Sequence, residues 1–348
     1  MILRETRGTP FERGKQHGAA HAVSARALYA RFCERLRLDD PDVGQRVRLV
    51  EGNMRRVCPE VLDEISGISD GTGLSYEQVL LLNCSVDLGA IDHLAQCTNV
   101  IFADTPHGIL HAENHDIEPS NAARLVVGEH AHLPNGVLVK RVMWAGTTWG
   151  TIGVNSLGLS FGESTVWVKD TNWETGIPIN VLAGLPLMRC GTVSEVVSLL
   201  EEAAPINYGY NFACTDTSGD AAIIERSPTR CAVRRLAGRA LWCTDHFHEP
   251  EMLEVQADTP EIVANSLDRW SNLARIAADP DWFWDLDGLQ ATMRDHTDPG
   301  AICRHNGPHD SASCTTRSCI MVPAWRQLLL ADGYPCLHPY LPSQAWLE

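Results

Sequence analysis

The chain has 348 residues, of which 44% are hydrophobic and 21% are charged, so it can bury a large core as one unit or two. Its 28 Lys and Arg against 44 Asp and Glu give a formal net charge of -16, which argues against nucleic acid or an anionic membrane as the main partner. No run of about 18 apolar residues occurs, and the start lacks the apolar stretch of a secretory signal peptide, so we expect a cytoplasmic protein that acts on small molecules.

The first 96 residues are predicted to be mainly helical. Apolar residues recur at helical spacing in "HAVSARALYARFCERLRL" (21–38) and "QRVRLVEGNMRRVC" (45–58). The stretch "PEVLDEISGISDGTGLSYEQVLLLN" (59–83) predicts two helices around a Gly-rich turn, the second beginning with a capping box of Ser75 and Gln78. Alone, this part would form a small helical lobe.

After Cys97 the pattern changes to short strands separated by turn residues. Strands are predicted at "NVIFA", "GILHAEN", "ARLVVGEH", "GVLVKRVMW", "TWGTIGVN", "GLSFGE", "NFACTD" and "AAIIERS". Residues 192–203 predict an amphipathic helix with Thr192 as N-cap and Glu195 at N3, and "SLDRWSNLARIAA" predicts another. We find no internal repeat, and the arrangement indicates an α+β fold whose helices cover its sheets.

One cysteine, Cys97, is a candidate catalytic nucleophile. In "CTNVIFADTPHGILHAENHD", Cys97 opens a predicted hairpin and the second strand ends in Asn114 and Asp116. A nucleophilic thiol needs a base, and no Cys/His/Asn set of the papain kind is evident around it. If the peptide bond before Cys97 were cut, the new α-amino group, with an ordinary pKa of about 7.7 to 8.0, could act as that base.

Six blocks in order carry a resemblance to a known family. They are "GTPFERGKQHG", the helical stretch 59–83, the hairpin from Cys97, "INYGYNFACTDTSGDAAIIERSP", "CTDHF", and the pair "MRDHTDPGAICRH" and "SCTTRSCIMVP". Together they resemble the acyl-coenzyme A:isopenicillin N (6-aminopenicillanic acid) acyltransferase family of autoproteolytic N-terminal-nucleophile hydrolases. The resemblance implies an αββα four-layer sandwich.

The resemblance also implies processing. A zymogen would be cut between Gln96 and Cys97, leaving residues 1–96 as a helical small subunit and residues 97–348 as the catalytic large subunit, together one globular unit. The Cys97 thiol would then attack a substrate carbonyl while its own amine takes the proton. The resulting thioester acyl-enzyme would pass its acyl group to water or to an amine.

Four further site residues are carried over from the resemblance. Asn211 matches the asparagine whose side-chain N–H holds the oxyanion, and its alternative role is a turn residue at a strand end. Asn114 and Asp116 share one side of a strand and are expected to face the nucleophile, with Asp116 orienting the site or closing a turn. Arg317 is a candidate cationic partner, although "CTTRSC" aligns in more than one register.

Two residues depart from the family pattern. Asp245 in "CTDHF" stands where the family often has Asn, which could alter polar contacts near the pocket. Gln96, before the nucleophile, is larger than the glycine seen in some relatives. Neither change removes a group that the mechanism needs.

The leading hypothesis is an autoprocessing cysteine amidohydrolase or N-acyltransferase. Its partners would be a small-molecule acyl amide, an acyl-coenzyme A or amine acceptor, and its own cleaved N-terminal segment. Tryptophans in "VMWAGTTWG", "STVWVKDTNWE" and "DPDWFWD" could line an acyl pocket or belong to the core. The sequence leaves open a penicillin-like side chain, a β-alanyl group and a fatty acyl group.

Two other hypotheses remain. A metal-dependent hydrolase could use histidines near the hairpin or the group in "CRHNGPHDSASC", although structural zinc sites favour tighter paired knuckles and we expect no metal and no cofactor. The hairpin histidines are His93, His107, His111 and His115, and the second group is Cys303, His305, His309 and Cys314. The third hypothesis is a non-catalytic, unprocessed member of the same fold that binds a ligand.

Overall fold

Helices account for most of the N-terminal part and return in the second half of the chain. The computed structural model describes residues 1–33, 36, 40–89, 95–118, 125–305 and 313–347. The helices are α1 (Pro10–Ala20), α2 (Ala22–Cys33), α3 (Pro41–Val57), α4 (Pro59–Thr72), α5 (Tyr76–Cys84), α6 (Ile179–Arg189), α7 (Val193–Glu202), α8 (Pro250–Leu253), α9 (Pro260–Ala278) and α10 (Leu286–Met293). Among these described helices, none is long and apolar enough to cross a bilayer.

The strands form two sheets. They are β1 (Leu3–Arg7), β2 (Ala95–Thr105), β3 (Gly108–Ile117), β4 (Val126–His132), β5 (Leu138–Trp144), β6 (Ile152–Asn155), β7 (Ser160–Val166), β8 (Gly209–Thr215), β9 (Ala221–Arg226), β10 (Cys231–Arg235), β11 (Ala240–Cys243), β12 (Cys314–Val322), β13 (Gln327–Ala331) and β14 (Leu341–Pro342). The eight-stranded sheet has the order β1-β4-β5-β6-β7-β8-β9-β10, and the six-stranded sheet has the order β11-β2-β3-β12-β13-β14.

The two sheets face each other, and helices cover their outer faces. Ile101 and Ile109 of the six-stranded sheet pack in one buried cluster with Ala213 and Ile223 of the eight-stranded sheet. On the far side of the six-stranded sheet, α9 and α10 pack on β2 and β3, while α6, α7 and the N-terminal helices share one core with the eight-stranded sheet. This is the expected αββα four-layer sandwich.

Capping boxes in the sequence predicted where two of the helices begin. The predicted capping boxes are present at Ser75 with Gln78 and at Thr192 with Glu195. Each satisfies two backbone N–H groups that a helix start would otherwise leave unpaired, which explains why these two boundaries could be placed from sequence.

The N-terminal part is not a separate helical lobe. Its first strand, β1, pairs in parallel with β4 and so completes the eight-stranded sheet. A buried ionic cluster joins it further: the Arg141 guanidinium on β5 donates to Glu129 at 2.7 Å and to Glu64 on α4 at 3.1 Å, and Arg13 on α1 pairs with Glu64. Strand pairing depends on partners distant in sequence, so local patterns did not predict it.

Glycines let α1 and α4 pack backbone against backbone. A Cβ added at Gly67 would lie 2.0 Å from the Phe11 carbonyl oxygen, and one at Gly14 would lie 2.1 Å from the Glu64 carbonyl oxygen. Carbon and oxygen cannot approach that closely, so any side chain here would push the helices apart. Gly18 and Gly71 repeat the contact one turn further on.

We expect Gly67→Ala to lower the free energy of unfolding by about 1 to 3 kcal/mol, because the methyl group must displace α1. Gly52→Ala in α3 is the matched control: nothing lies within 4 Å of its added Cβ, and Ala favours a helix interior by up to about 1 kcal/mol. Urea unfolding, measured in the Cys97→Ala background so that one covalent chain is compared, gives both values. Equal effects of the two substitutions would contradict the close helix contact.

Candidate active site

Cys97 lies on β2 with its side chain between the two sheets. Side chains alternate along a strand, and Asn99, two residues on, donates to the Glu163 carbonyl and the Ser164 hydroxyl of β7, both at 3.0 Å. Cys97 is fully buried and pairs across the strands with His115 of β3. The thiol therefore points into the interior, towards the eight-stranded sheet.

The backbone of Cys97 is held by a carboxylate. Strand β11 pairs with β2 only as far as Cys243 opposite Asn99, and Asp245 follows two residues later. Its Oδ1 accepts the Cys97 N–H at 2.8 Å, in place of the next ladder carbonyl. Burial raises the pKa of Asp245, and the adjacent Arg269 guanidinium opposes that rise.

Arg269 completes this contact from helix α9. Its Nη2 donates to Asp245 Oδ2, and its Nη1 donates to the Cys97 carbonyl and to the Thr98 hydroxyl, both at 2.7 Å. Sequence reasoning missed Arg269. The one available signal was its place in the predicted helix 266–278, where it lies one turn before the buried Leu273 on the apolar face.

Asn211 supports the segment that carries Asp245. Its Nδ2 donates to the carbonyls of Thr244 and His246, both at 2.8 Å, so it fixes both neighbours of Asp245. Its Oδ1 is buried and accepts no hydrogen bond from the described residues. In this uncut chain, Asn211 thus acts on the main chain around Asp245, and its role as an oxyanion donor stays a prediction.

Asn114 and Asp116 lie on the face of the sheet opposite to the Cys97 thiol. We expected both to face the nucleophile, but their register partners on β2 are Thr98 and Gln96, so they share the outer face with those residues. Asn114 donates to main-chain carbonyls near α10, at 2.8 and 3.0 Å. The expectation considered which residues share a side of β3, but not which face of β2 carries Cys97.

Asp116 is nevertheless close to the predicted cleavage point. It accepts from the Thr315 hydroxyl at 2.6 Å, and Arg304 Nη1 lies 3.5 Å from its Oδ2 and 2.5 Å from the side-chain oxygen of Gln96. Burial raises the pKa of Asp116 to about 6, against the opposing effect of Arg304 and Arg269. The cation that contacts Asp116 is therefore Arg304, another residue that sequence reasoning missed.

Arg317 has a different partner. It lies on β12 opposite His115, and its Nη2 donates to Asp332 Oδ1 at 3.0 Å. This ion pair connects β12 to the residue that follows β13.

Two buried carboxylates accompany the thiol. The Cys97 sulfur and carboxylate oxygens of Glu113 and Glu163 lie within 4.8 Å of one another. Burial raises the pKa of Glu163 to about 8, and burial together with Glu163 raises the pKa of Glu113. Burial and these acidic neighbours also hold the pKa of the Cys97 thiol well above its usual range, so the thiol is protonated at neutral pH.

An aromatic cavity of about 30 Å³ adjoins this group. That volume holds about one water molecule. Its lining residues are Val86, His115, Trp144, Trp149, Thr151, Glu163, Thr165, Trp167, Asn180, Tyr208 and Tyr210. Two of the three tryptophan clusters noted in the sequence thus reach the cavity, whereas Trp282 and Trp284 are partly buried and pack against the core between α9, α10 and the six-stranded sheet.

Two of the hairpin histidines, His107 and His111, contact other side chains. His111 lies between Asn99 and Ser160, at 2.9 and 3.1 Å, and His107 packs edge-on against the Trp325 ring. His93 and His309 lie outside the described residues. Besides the group around Cys97, one other set of potential metal ligands comes together in the described part of the chain: His296, Cys303, His305 and Cys336.

Comparison with known proteins identifies the family. The sequence model of the acyl-coenzyme A:6-aminopenicillanic acid acyl-transferase family matches residues 103–307, which is more than half of the chain. The chain belongs to this family. The matched stretch includes Asn114, Asp116, Asn211, Asp245 and Arg269, whereas Cys97 precedes it.

One curated member is the 40 kDa form of acyl-coenzyme A:6-aminopenicillanic-acid-acyltransferase from Emericella nidulans. It is 25% identical over 193 residues, covering 54% of this chain and 53% of the relative. The matched region thus spans about half the length of this relative.

Solved structures with partial likeness include two hydrolytic enzymes. Conjugated bile acid hydrolase from Clostridium perfringens, as a mutant, has a TM-score of 0.47 and 13% identity over 68% of this chain and 89% of that one. Penicillin V acylase from Agrobacterium tumefaciens has a TM-score of 0.41 and 15% identity over 68% of this chain and 83% of that one.

We expect Arg269→Leu to lower the free energy of unfolding by about 3 to 5 kcal/mol, because it leaves the buried Asp245 carboxylate without its partner. Arg275→Leu on the same helix is the control: this side chain is exposed and donates to the Asn272 side chain at 2.7 Å, so its loss should cost under about 1 kcal/mol. Urea unfolding in the Cys97→Ala background measures both. A small cost for Arg269→Leu would mean that Asp245 is not charged in the folded chain.

Proposed function

We propose that this protein is an autoprocessing cysteine amidohydrolase or N-acyltransferase whose nucleophile is Cys97. One observation carries the proposal: the Cys97 N–H, the atom that would become the catalytic amine, is bound by Asp245, which Arg269 holds in turn. A carboxylate paired with a guanidinium is an unusual and costly partner for a backbone amide in a buried strand. It is a suitable partner for the ammonium and amine forms of a new N-terminus.

Self-cleavage would proceed through the thiol. The Cys97 sulfur attacks the Gln96 carbonyl carbon, the C–N bond between the two residues breaks, and the thiol proton moves to the Cys97 nitrogen. Water then hydrolyses the thioester, which releases the carboxyl group of Gln96 and restores the thiol. Arg304 lies beside the Gln96 side chain and supplies positive charge near the carboxylate that forms.

Catalysis on substrate would repeat this chemistry. The free amine of Cys97 takes the thiol proton as the sulfur attacks an amide carbonyl, and the amine of the substrate leaves with that proton. The acyl group stays on sulfur as a thioester until water or an acceptor amine takes it. Before cleavage no such amine exists, and the burial that raises the thiol pKa keeps the sulfur protonated.

We propose that the acyl group of the substrate occupies the aromatic cavity. The cavity adjoins the thiol through Glu163, and Trp144, Trp149 and Trp167 supply an apolar lining. The cavity holds only about one water molecule in the uncleaved precursor, which is too little space for an acyl group. Displacement of the chain upstream of Cys97 would enlarge it. The name of the Emericella relative pairs an acyl-coenzyme A with an amine, 6-aminopenicillanic acid, which favours an acyl-coenzyme A as the acyl donor, an amine as the acceptor and an acylated amine as the product.

The N-terminal segment 1–96 would remain bound after cleavage as the small subunit. Strand β1 stays in the eight-stranded sheet, and Glu64 stays between Arg13 and Arg141 in the buried ionic cluster. None of these contacts involves the bond between Gln96 and Cys97.

We expect the purified wild type to contain two chains of residues 1–96 and 97–348 that elute together, and Cys97→Ala to contain one intact chain. Intact mass under reducing, denaturing conditions measures this, and native gel filtration tests whether the chains stay together. Cys243→Ala, which removes another buried thiol of the inter-sheet space, is the control and should cleave. A wild type that stays whole would instead support an unprocessed ligand-binding protein.

We expect the kcat/KM of the cleaved enzyme on an amide substrate to rise with pH as the Cys97 amine loses its proton. The ordinary pKa of such an amine is about 7.7 to 8.0, and the nearby Asp245 carboxylate favours the protonated form and raises that pKa. Asp245→Asn keeps a hydrogen-bond acceptor but removes the charge, so the rising limb should move to lower pH. A limb that stays in place or moves to higher pH would contradict the amine as the base.

A further inference from the structure

The strongest unassigned feature is a cluster of two thiols and two imidazoles. His296 follows α10, Cys303 and His305 lie at the end of the next loop, and Cys336 comes from the turn after β13. Their ligand atoms, two Nε2 and two Sγ, all lie within 4.8 Å of one another. This group is separate from the Cys97 site, and no step of the proposed reaction uses it.

Four of the six spacings among these atoms are close to those of a tetrahedron of metal ligands, and the other two lie within 4.8 Å. The two sulfurs are 3.7 Å apart, the two Nε2 atoms are 3.1 Å apart, and His305 Nε2 lies 3.6 and 3.2 Å from the sulfurs of Cys303 and Cys336. With Zn–S near 2.3 Å and Zn–N near 2.0 to 2.1 Å, a tetrahedral site requires about 3.8 Å between sulfurs and about 3.3 Å between nitrogens.

Hydrogen bonding alone does not account for this arrangement. His305 Nε2 contacts three polar atoms at once, the two sulfurs and the Nε2 of His296, yet a ring nitrogen carries either one proton or one lone pair. Two imidazole nitrogens facing each other also require opposite protonation. A cation at the centre satisfies all four atoms together.

We propose that His296, Cys303, His305 and Cys336 bind one structural Zn²⁺ ion. Two thiolates and two imidazoles are a donor set that zinc prefers, and four protein ligands leave no open position for a substrate. On binding, each thiol loses its proton to solvent, the imidazoles bind as neutral rings, and no group changes oxidation state. This proposal departs from our expectation that the protein holds no metal.

Neighbouring residues hold the loop and one of the imidazole rings of this cluster in position. The Asp295 carbonyl accepts the N–H groups of Ile302 and Cys303, at 3.0 and 2.9 Å, which closes the loop between His296 and Cys303. The His305 ring stacks on Tyr334, with ring centroids 4.0 Å apart. Such outer contacts orient ligands around metal ions in many sites.

The zinc set differs from the one considered in the sequence. Cys303 and His305 belong to both sets, but Cys314 accepts a hydrogen bond from the Tyr334 hydroxyl at 3.4 Å. His296 and Cys336 replace His309 and Cys314. The first three ligands lie in one segment, and Cys336 lies more than 30 residues after them. The sequence therefore contains no compact motif that predicts this site.

A zinc ion here would also fix Arg304. In the sequence, this arginine lies between two of the ligands, Cys303 and His305. Its side chain contacts Gln96 and Asp116 at the proposed cleavage point. We infer that the ion holds the loop that presents Arg304, while taking no part in the chemistry.

The test is the metal content of the full chain. Wild type and Cys97→Ala are incubated with ZnSO₄, freed of loose metal by dialysis, and analysed by inductively coupled plasma mass spectrometry; both should retain about one zinc per chain. Cys336→Ser and Cys303→Ser should lose it, whereas Cys231→Ser, at another partly buried cysteine, should keep it. Zinc bound by Cys97→Ala separates this site from the proposed reaction, since that variant cannot turn over.

A second measurement does not depend on folding of the variants. The zinc K-edge absorption spectrum of the wild type should show two sulfurs near 2.3 Å and two nitrogens near 2.0 to 2.1 Å. No retained zinc, zinc retained by Cys336→Ser, or a first shell without sulfur would each overturn the proposal. So would a Cys303–Cys336 disulfide, seen as a loss of two hydrogens in the non-reduced mass.

Discussion

The Asp245 carboxylate is the contact on which the site depends. It is fully buried, binds the Cys97 N–H, and needs Arg269 beside it because an unpaired charge in the interior costs several kcal/mol. Arg269 in turn holds the Cys97 carbonyl, so one ion pair fixes both peptide groups of this residue. Asp116 and Arg304 form a second buried pair next to Gln96. Two buried carboxylate–guanidinium pairs thus flank the scissile region.

Because side chains alternate along a strand, the two faces of the six-stranded sheet carry different functional groups. The inner face carries the thiol, the two acidic neighbours Glu113 and Glu163, and access to the aromatic cavity. The outer face carries Thr98 and Asp116, which contact Arg269 of α9 and Arg304 of the loop after α10, respectively. Because the backbone of Cys97 lies between these faces, its sulfur can face the cavity while its nitrogen stays within the charged network.

Sequence patterns predicted the layers better than the contacts. Helix and strand periodicity and the capping boxes at Ser75 and Thr192 indicated an α+β fold, and the family resemblance of the ordered blocks implied the αββα sandwich. Local patterns did not reveal β1, because a lone five-residue strand is stabilised only by its distant partner β4. Arg269 and Arg304 were missed for the same reason: a buried arginine is identified by the carboxylate it meets, and both carboxylates lie more than 20 residues away.

The proposed cleavage changes the charge balance more than the fold. Strand β2 begins at Ala95, so the cut would fall two residues inside it and remove little of its ladder. The cut creates a carboxylate at Gln96 and an amine at Cys97, one charge of each sign at neutral pH. Arg304 lies on the side where the carboxylate forms, and Asp245 lies on the side where the amine forms. The uncut chain thus holds a guanidinium against the Gln96 side chain and a carboxylate on the Cys97 nitrogen, and each charge is opposite in sign to the terminus that the proposed cleavage would create beside it.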